Sequence, residues 1–102
     1  MAQFTVYKNL SDRSGAAPFV IDLQAGLLDV LQTRVVAPLI PAERMRAARH
    51  VNPVFEIDGR RYVMSTAELA GVPLNVLGAE VTELSACRAE IVAALDFLFT
   101  GY

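Results

Sequence analysis

The sequence predicts a mostly β, α+β domain, in which several short antiparallel strands, or a small barrel of them, are followed by a C-terminal α-helix. Three observations predict it. Short β-rich runs separated by turn residues recur along most of the chain. Asp58-Gly59 joins two of these runs, and apolar residues at spacings of three and four begin at Leu84. The 102 residues suffice for a single domain, 1–102, with its own core.

The first three strands are predicted from β-rich composition. "QFTVY" alternates between apolar and polar residues, which predicts a strand from Gln3 to Tyr7. "FVIDLQ" and "TRVVAPLI" predict the second and third strands, and Pro38 predicts an edge position or a bulge in the third. Between them, "AGLLDVLQ" fits either a loop that exposes Leu27 and Leu28 or one short helical turn.

The middle of the chain contains the clearest hairpin. In "VNPVFEIDGRRYVM", Asp-Gly lies between two β-rich runs and favours a type I′ turn. "AERMRAAR", before it, fits a helical turn or a mobile loop. "STAELAG" predicts a short helix with Ser65 or Thr66 as its N-cap and Gly71 at its end. "VPLNVLGAEV" is an apolar extended stretch interrupted by Pro73 and Gly78.

The last segment is predicted to be helical, with one apolar face toward the core. That face carries Leu84, Cys87, Ile91, Leu95 and Leu98. Phe97 lies on the other side without an obvious cover, and the chain ends on "FLFTGY". This apolar tip either folds into the core or is a surface that another protein covers.

Composition narrows the function classes. The net charge of −2 and the pI of about 5.2 disfavour non-specific nucleic-acid binding, which depends on neutralising phosphates. A single cysteine allows no internal disulfide, so a reducing, cytoplasmic setting is expected. No secretory leader and no apolar run of about 18 residues is evident, so no membrane partner is expected.

No motif predicts catalysis, a cofactor or a metal. His50 and Cys87 lack ligand spacing, and neither a GxSxG motif nor a glycine-rich phosphate loop occurs. Five of the nine basic residues lie between Arg44 and Arg61. They form a solvated surface, a docking patch for an acidic partner or an RNA site, of which the acidic chain disfavours the last.

Several ordered segments resemble the CcdB toxin family. They are "MAQFTVYKN", "FVIDLQ" with "LLD", "RVVAPL", "NPVFEIDGRRYVMSTAELAGVP", "VLGAEVTELS" and the terminal "FTGY". The resemblance implies an SH3-like small barrel with a C-terminal helix, in a homodimer. It also implies a toxin of a type II toxin–antitoxin module, which is not an enzyme. Such a toxin binds the DNA gyrase A subunit and traps the cleavage complex. A CcdA-like antitoxin neutralises it, and operator DNA is bound only through the antitoxin complex.

The resemblance also implies a set of gyrase-binding residues. They are Gln3, Phe4, Tyr7, Leu27, Leu28, Asp96, Phe99, Thr100, Gly101 and Tyr102. Charge and expected mobility make Arg46 and Arg49 candidates for antitoxin binding. Thr100 stands where the family pattern has a tryptophan, and Asp96 where it has a neutral amide.

Three alternatives therefore remain open at this stage. The first is a CcdB-like dimer with weakened or lost gyrase poisoning. The second is a MazF-like endoribonuclease toxin of the same fold superfamily. The third is a structural or regulatory dimer whose apolar tip is packed core.

Overall fold

The computed structural model describes residues 2–101. Over these residues the chain forms seven β-strands and one α-helix. The strands are β1 (Thr5–Asn9), β2 (Phe19–Asp22), β3 (Thr33–Pro41), β4 (Val54–Ile57), β5 (Arg60–Met64), β6 (Ala70–Pro73) and β7 (Leu77–Glu83), and the helix is α1 (Arg88–Thr100). Short 3-10 turns lie at Gly26–Leu28, Thr66–Glu68, Leu74–Val76 and Ser85–Cys87.

All strand pairs are antiparallel, and the sheet has the order β4-β5-β3-β2-β1-β7, with β6 paired to β3. The sheet curls into a half-barrel, and α1 packs against the apolar cluster on its inner side. The predicted class, an α+β and mostly β domain with an SH3-like curled sheet and a C-terminal helix, is confirmed.

The long strand β3 organises the sheet. It pairs with β2 on one side, and on the other side with β6 through its first half and β5 through its second half. The prediction that Pro38 marks an edge or a bulge is wrong, because β3 is an interior strand. Pro38 lies between the β6 pairing, which ends at Val36, and the β5 pairing, which begins at Leu39. The missing amide hydrogen of proline therefore faces a gap in the ladder.

The Asp58-Gly59 hairpin is confirmed, and it joins β4 to β5. Both turn residues have positive φ, 52° at Asp58 and 78° at Gly59, as a type I′ turn requires.

Two predicted boundaries were wrong for local reasons. The first strand begins at Thr5 rather than Gln3, because Phe4 has a left-handed backbone (φ 68°) that interrupts extended geometry. Gly71 does not end a helix but pairs with Val35 inside β6. The turn before it is a single 3-10 turn, Thr66–Glu68, and the Ser65 hydroxyl donates to the Glu68 carboxylate rather than capping the backbone.

The main apolar core lies between the sheet and α1. The helix buries Ile91 and Ala94 completely, while Leu84, Cys87 and Leu95 pack partly buried against the same cluster. The predicted inner face of the helix is therefore confirmed at these positions. Phe97, for which no cover was expected, is half-buried, and its ring lies 5.6 Å from that of His50.

A buried ion pair lies at the end of β2. The Arg34 side chain is 1% exposed and that of Asp22 is 0% exposed. Arg34 Nη2 lies 2.6 Å and Nε 3.1 Å from Asp22 Oδ2. A charge removed from water at this depth is tolerated only when its partner and hydrogen bonds compensate for the lost hydration.

We therefore expect Asp22→Asn to lower the free energy of unfolding by about 3 kcal/mol, because it removes the buried counter-charge of the guanidinium and leaves only the partly exposed Asp29. Urea denaturation at fixed protein concentration measures this. Glu43→Gln is the matched control, since it removes the carboxylate of the exposed Arg60–Glu43 pair and should leave the midpoint unchanged. Equal midpoints for the two variants would contradict the prediction.

Candidate functional site

The leucine loop, residues 23–32 between β2 and β3, exposes an unusual amount of apolar surface. Leu27 is 93% exposed and Val30 is 88% exposed, and Leu28 and Leu31 are each about half as exposed. Four large apolar side chains on ten residues exceed what scattered surface hydrophobics explain. The loop contains the 3-10 turn Gly26–Leu28 and also exposes Leu27 and Leu28, so both interpretations of "AGLLDVLQ" hold.

Gln24 and Asp29 hold the leucine loop against the sheet through polar contacts. The Gln24 side chain donates from Nε2 to the Leu28 carbonyl (3.0 Å) and accepts at Oε1 from the Val35 amide (3.0 Å). The Asp29 carboxylate accepts from Arg34 Nη1. The loop is therefore joined to β3 by the side chain of Gln24 near its start and by that of Asp29 after its 3-10 turn.

Gln3 links the start of this loop to α1. Its Nε2 donates to the Leu23 carbonyl (3.0 Å), and its Oε1 accepts from Arg88 Nη1 (3.2 Å). The Arg88 guanidinium also lies 5.6 Å from the ring centre of Phe4, a cation–π distance. Phe4 is 2% exposed, so a partner that docks on the surface would not reach its ring.

The exposed tip of α1 is the second apolar feature. Phe99 is 70% exposed, which excludes a fully packed tip in the single chain. Thr100 Oγ1 donates to the Asp96 carbonyl (2.6 Å), so its hydroxyl is bonded within the helix. Gly101 ends the helix with φ 78° and donates its amide to the Phe97 carbonyl (2.9 Å). Tyr102 lies outside the described residues.

A shallow depression on α1 connects these features. It has a volume of about 550 Å³ and runs from Arg88 to Asp96 over a floor of alanines and Val92. Arg88 and Phe99 are separated by about 16 Å along the helix axis, at about 1.5 Å per residue. Within one chain, the predicted residues therefore form a group at Gln3 and the leucine loop and a group at the tip, with the helix side between them.

Tyr7 does not lie on this surface. It is 4% exposed and packs against Val20 and Val36, with which it forms a second, smaller apolar cluster. Its hydroxyl is buried and forms no hydrogen bond of ordinary geometry with any described residue. Burial raises the pKa of Tyr7, and the negative charges of Glu80 and Asp22 raise it further.

The arginine loop, residues 42–53 between β3 and β4, carries the predicted antitoxin residues. Arg46 and Arg49 are exposed, and neither forms an ion pair with another residue of the range 2–101. Asn52 closes the loop, since its Oδ1 accepts from the Ala48 amide (2.9 Å) and its Nδ2 donates to the Met64 carbonyl (3.0 Å). The two arginines therefore project from a loop that is tied to β5 at its end.

Sequence reasoning missed a cleft between this loop and α1. It has a volume of about 450 Å³ and is lined by His50, Pro53, Val54, Glu90 and Phe97, among others. The only sequence signal was Phe97 on the outer side of the helix. The left-handed backbone of His50 (φ 72°), which brings its ring to Phe97, has no sequence signature.

A metal-binding cluster and a membrane-spanning helix are both absent from the part of the chain that the structure describes. No three His, Cys, Asp or Glu side chains there are arranged to hold a metal ion. Across residues 2–101, no helix has both the length and the apolar content needed to cross a membrane.

Tyr7→Phe should stabilise the fold by about 1 kcal/mol, because it removes a buried hydroxyl that lacks a hydrogen bond. A raised pKa means that the folded state holds the phenol proton more tightly. The native protein should therefore lose stability as the pH rises above about 10, the ordinary pKa of a tyrosine, and the Phe variant should lose less. Urea denaturation at pH 7 and above pH 10 measures both effects. Tyr62→Phe is the control at neutral pH. A Tyr7→Phe variant that is less stable than the wild-type protein at pH 7 would contradict the prediction.

The family to which the chain belongs follows from comparison with known families. A family model described as "CcdB protein" matches residues 3–101, nearly the whole chain. The matched region contains the leucine loop, the arginine loop and the helix tip. The curled antiparallel sheet with one C-terminal helix agrees with that match. The chain therefore belongs to the CcdB family, the toxins of toxin–antitoxin systems.

Proposed function

We propose that this protein is a homodimeric toxin that binds the A subunit of DNA gyrase and traps the gyrase–DNA cleavage complex. It acts by protein–protein binding in the cytoplasm, not by catalysis. Family membership supports this proposal. The observation that carries it in the structure is the exposed apolar surface at Leu27, Leu28 and Phe99, residues that the resemblance assigned to gyrase binding.

The leucine loop supplies apolar contact area. Leu27 is almost fully accessible in the single chain, and burying such a side chain is worth about 1.5–3 kcal/mol. Leu28 and Phe99 add to this area. A few apolar or aromatic side chains at the centre of an interface usually carry most of its binding energy.

Phe4 and Tyr7 have a different role in this proposal. Both rings are buried beneath the surface, so they support the contact residues rather than touch gyrase. Gln3 joins the leucine loop to the start of α1, because it bonds both Leu23 and Arg88. Asp96 lies at the far end of the helix depression, where its charge favours a cationic group of the partner.

The homodimer is supported by the same exposed surface. A closed twofold dimer places equal patches of two chains around one axis, which doubles the area offered to a symmetric partner. In addition to the leucine loop, two exposed apolar residues lie near the pairing of Arg34 with Val72, namely Val35 on β3 and Leu74 immediately after β6. We propose that part of this apolar surface is covered by the second copy.

Thr100 favours a weakened form of the same activity. The family pattern has a tryptophan there, and threonine offers no aromatic ring to stack on a partner. Its hydroxyl is also bonded to the Asp96 carbonyl. Phe99, one residue earlier, is the remaining exposed aromatic side chain at the described tip.

We further propose that a CcdA-like antitoxin binds the arginine loop. The exposed, unpaired cations of Arg46 and Arg49 favour a flexible acidic segment. The antitoxin neutralises the toxin and represses their operon together with it, so that operator DNA is bound through the complex.

Phe99→Ala should weaken gyrase binding by about 30-fold, the loss expected for an aromatic hot spot of about 2 kcal/mol. Thr100→Trp should strengthen it by a similar factor. The measurements are affinity for a gyrase A fragment, and linear DNA from trapped cleavage complexes in the presence of purified dimer.

Leu10→Ala is the matched control for that experiment, because Leu10 is exposed and apolar but is not among the predicted contacts. Equal activity of Phe99→Ala and the wild-type protein would remove the helix tip from the site. No linear DNA with any variant, together with cleavage of RNA by the wild-type protein, would instead favour the endoribonuclease alternative.

Replacing both Arg46 and Arg49 by Glu should weaken antitoxin binding at least tenfold, since it reverses the charge that attracts an acidic segment. Calorimetric titration with the antitoxin measures this, and the loss should shrink at high salt. Arg13→Glu is the control, a charge reversal in the β1–β2 loop. Unchanged affinity with a native melting curve would remove the arginine loop from the antitoxin site.

A further inference from the structure

We propose that Arg34 is a positioning residue for gyrase binding, which holds the leucine loop in its binding conformation from beneath. This inference rests on the proposed function, because it concerns the loop that carries Leu27 and Leu28. Arg34 does not itself touch the partner, since its side chain is 1% exposed. It acts through the groups that its guanidinium binds.

One guanidinium joins the sheet to the loop. Its Nε and Nη2 donate to Asp22 at the end of β2. Nη2 also donates to the Gln24 carbonyl (3.2 Å), at the start of the loop. Nη1 donates to the Asp29 carboxylate, immediately after the 3-10 turn that contains both leucines. A planar guanidinium can satisfy these directions together, whereas an ammonium group cannot.

The loop has no apolar support that could replace this cation. Every residue from 25 to 32 is exposed, and the turn Gly26–Leu28 buries none of its side chains. Leu27 is 93% exposed, so its side chain adds little to holding the loop in the single chain. Its conformation therefore depends on polar contacts, chiefly those of Arg34 and the Gln24 side chain.

Because Arg34 is buried, its hydrogen bonds to the loop are strong and directional. Charge-assisted hydrogen bonds from a group shielded from water are stronger and more directional than bonds at the surface. A loop already fixed in its bound conformation avoids the ordering cost when a partner arrives. The buried ion pair thus allows an exposed apolar loop to bind as a rigid element.

The contact with Asp29 separates this role from a merely structural one. Asp22 is the fully buried carboxylate partner of this cation, whereas Asp29 is its partly exposed one. The Asp29 side chain is 41% exposed, so Asp29→Asn leaves the Arg34–Asp22 pair in place and weakens the bond from Arg34 to the loop. Asp29 takes part in another interaction as well, so a second variant is needed. Arg34→Lys keeps the buried positive charge but loses the planar guanidinium that bonds several partners at once.

The test is hydrogen exchange of the purified protein. The reporters are the amides of Leu28 and Leu31, which bond to the Ala25 and Leu28 carbonyls. We expect each variant to speed their exchange about tenfold or more, with no change at Val6 in β1. Combining the two changes should add little, because both remove the same contact. Glu43→Gln, at the exposed Arg60–Glu43 pair, is the matched control and should change nothing.

Gyrase binding supplies the second readout. Asp29→Asn should weaken affinity for the gyrase A fragment about tenfold in the native sequence, and much less when Leu27→Ala is already present. Antitoxin binding should be unchanged. Such dependence on Leu27 is not expected of a general loss of stability.

Unchanged loop exchange in Asp29→Asn overturns the proposal, as does faster exchange with full gyrase affinity. If Arg34→Lys fails to fold, the double variant Asp22→Asn, Arg34→Gln, which removes both buried charges together, takes its place beside Asp29→Asn. A wild-type protein that does not bind gyrase overturns the proposed function instead. The exchange rates then still decide whether Arg34 positions the loop.

Discussion

The buried pairing of Arg34 with Asp22 is the interaction on which the rest of the structure depends. The two residues come from neighbouring antiparallel strands, and the β2–β3 register, with Asp22 opposite Val36, brings their side chains together. A slip of one residue between the two strands would place the two charges on opposite faces of the sheet. Because an isolated buried charge is so costly, the pair favours one register over its alternatives. The same guanidinium reaches the leucine loop, so the choice of register and the shape of the surface share one cause.

Around this ion pair, polar side chains are buried and apolar side chains are exposed, the reverse of the usual arrangement. Charged and amide side chains lie inside, at Asp22, Gln24 and Arg34, while leucines lie outside on the adjoining loop. A protein that acted alone would gain stability from the opposite arrangement. The inversion is understandable in a protein that acts by binding, because the exposed leucines gain their burial energy only when a partner covers them.

The residues that the resemblance assigned to gyrase binding differ in burial in the folded chain. Leu27 and Phe99 are exposed, and Phe4 and Tyr7 are buried. Gln3 is partly buried and bonds Leu23 and Arg88. A family pattern records which positions matter but not whether each one touches the partner or supports a neighbour that does. Arg34 belongs to the second kind, and no motif in the sequence indicated it. Its ionic partner Asp22 lies twelve residues away.

The sequence by itself determined the local features: the Asp58-Gly59 turn, the inner face of α1 and the apolar character of the helix tip. Each depends on residues within a few positions of one another, so backbone preference and periodicity suffice to predict it. The tertiary structure alone decided the place of Pro38 inside the sheet, the left-handed backbone at Phe4 and the burial of Arg34. These depend on which strands become neighbours, and that choice is made by the packing of the whole core, where distant residues meet and local preference is overridden.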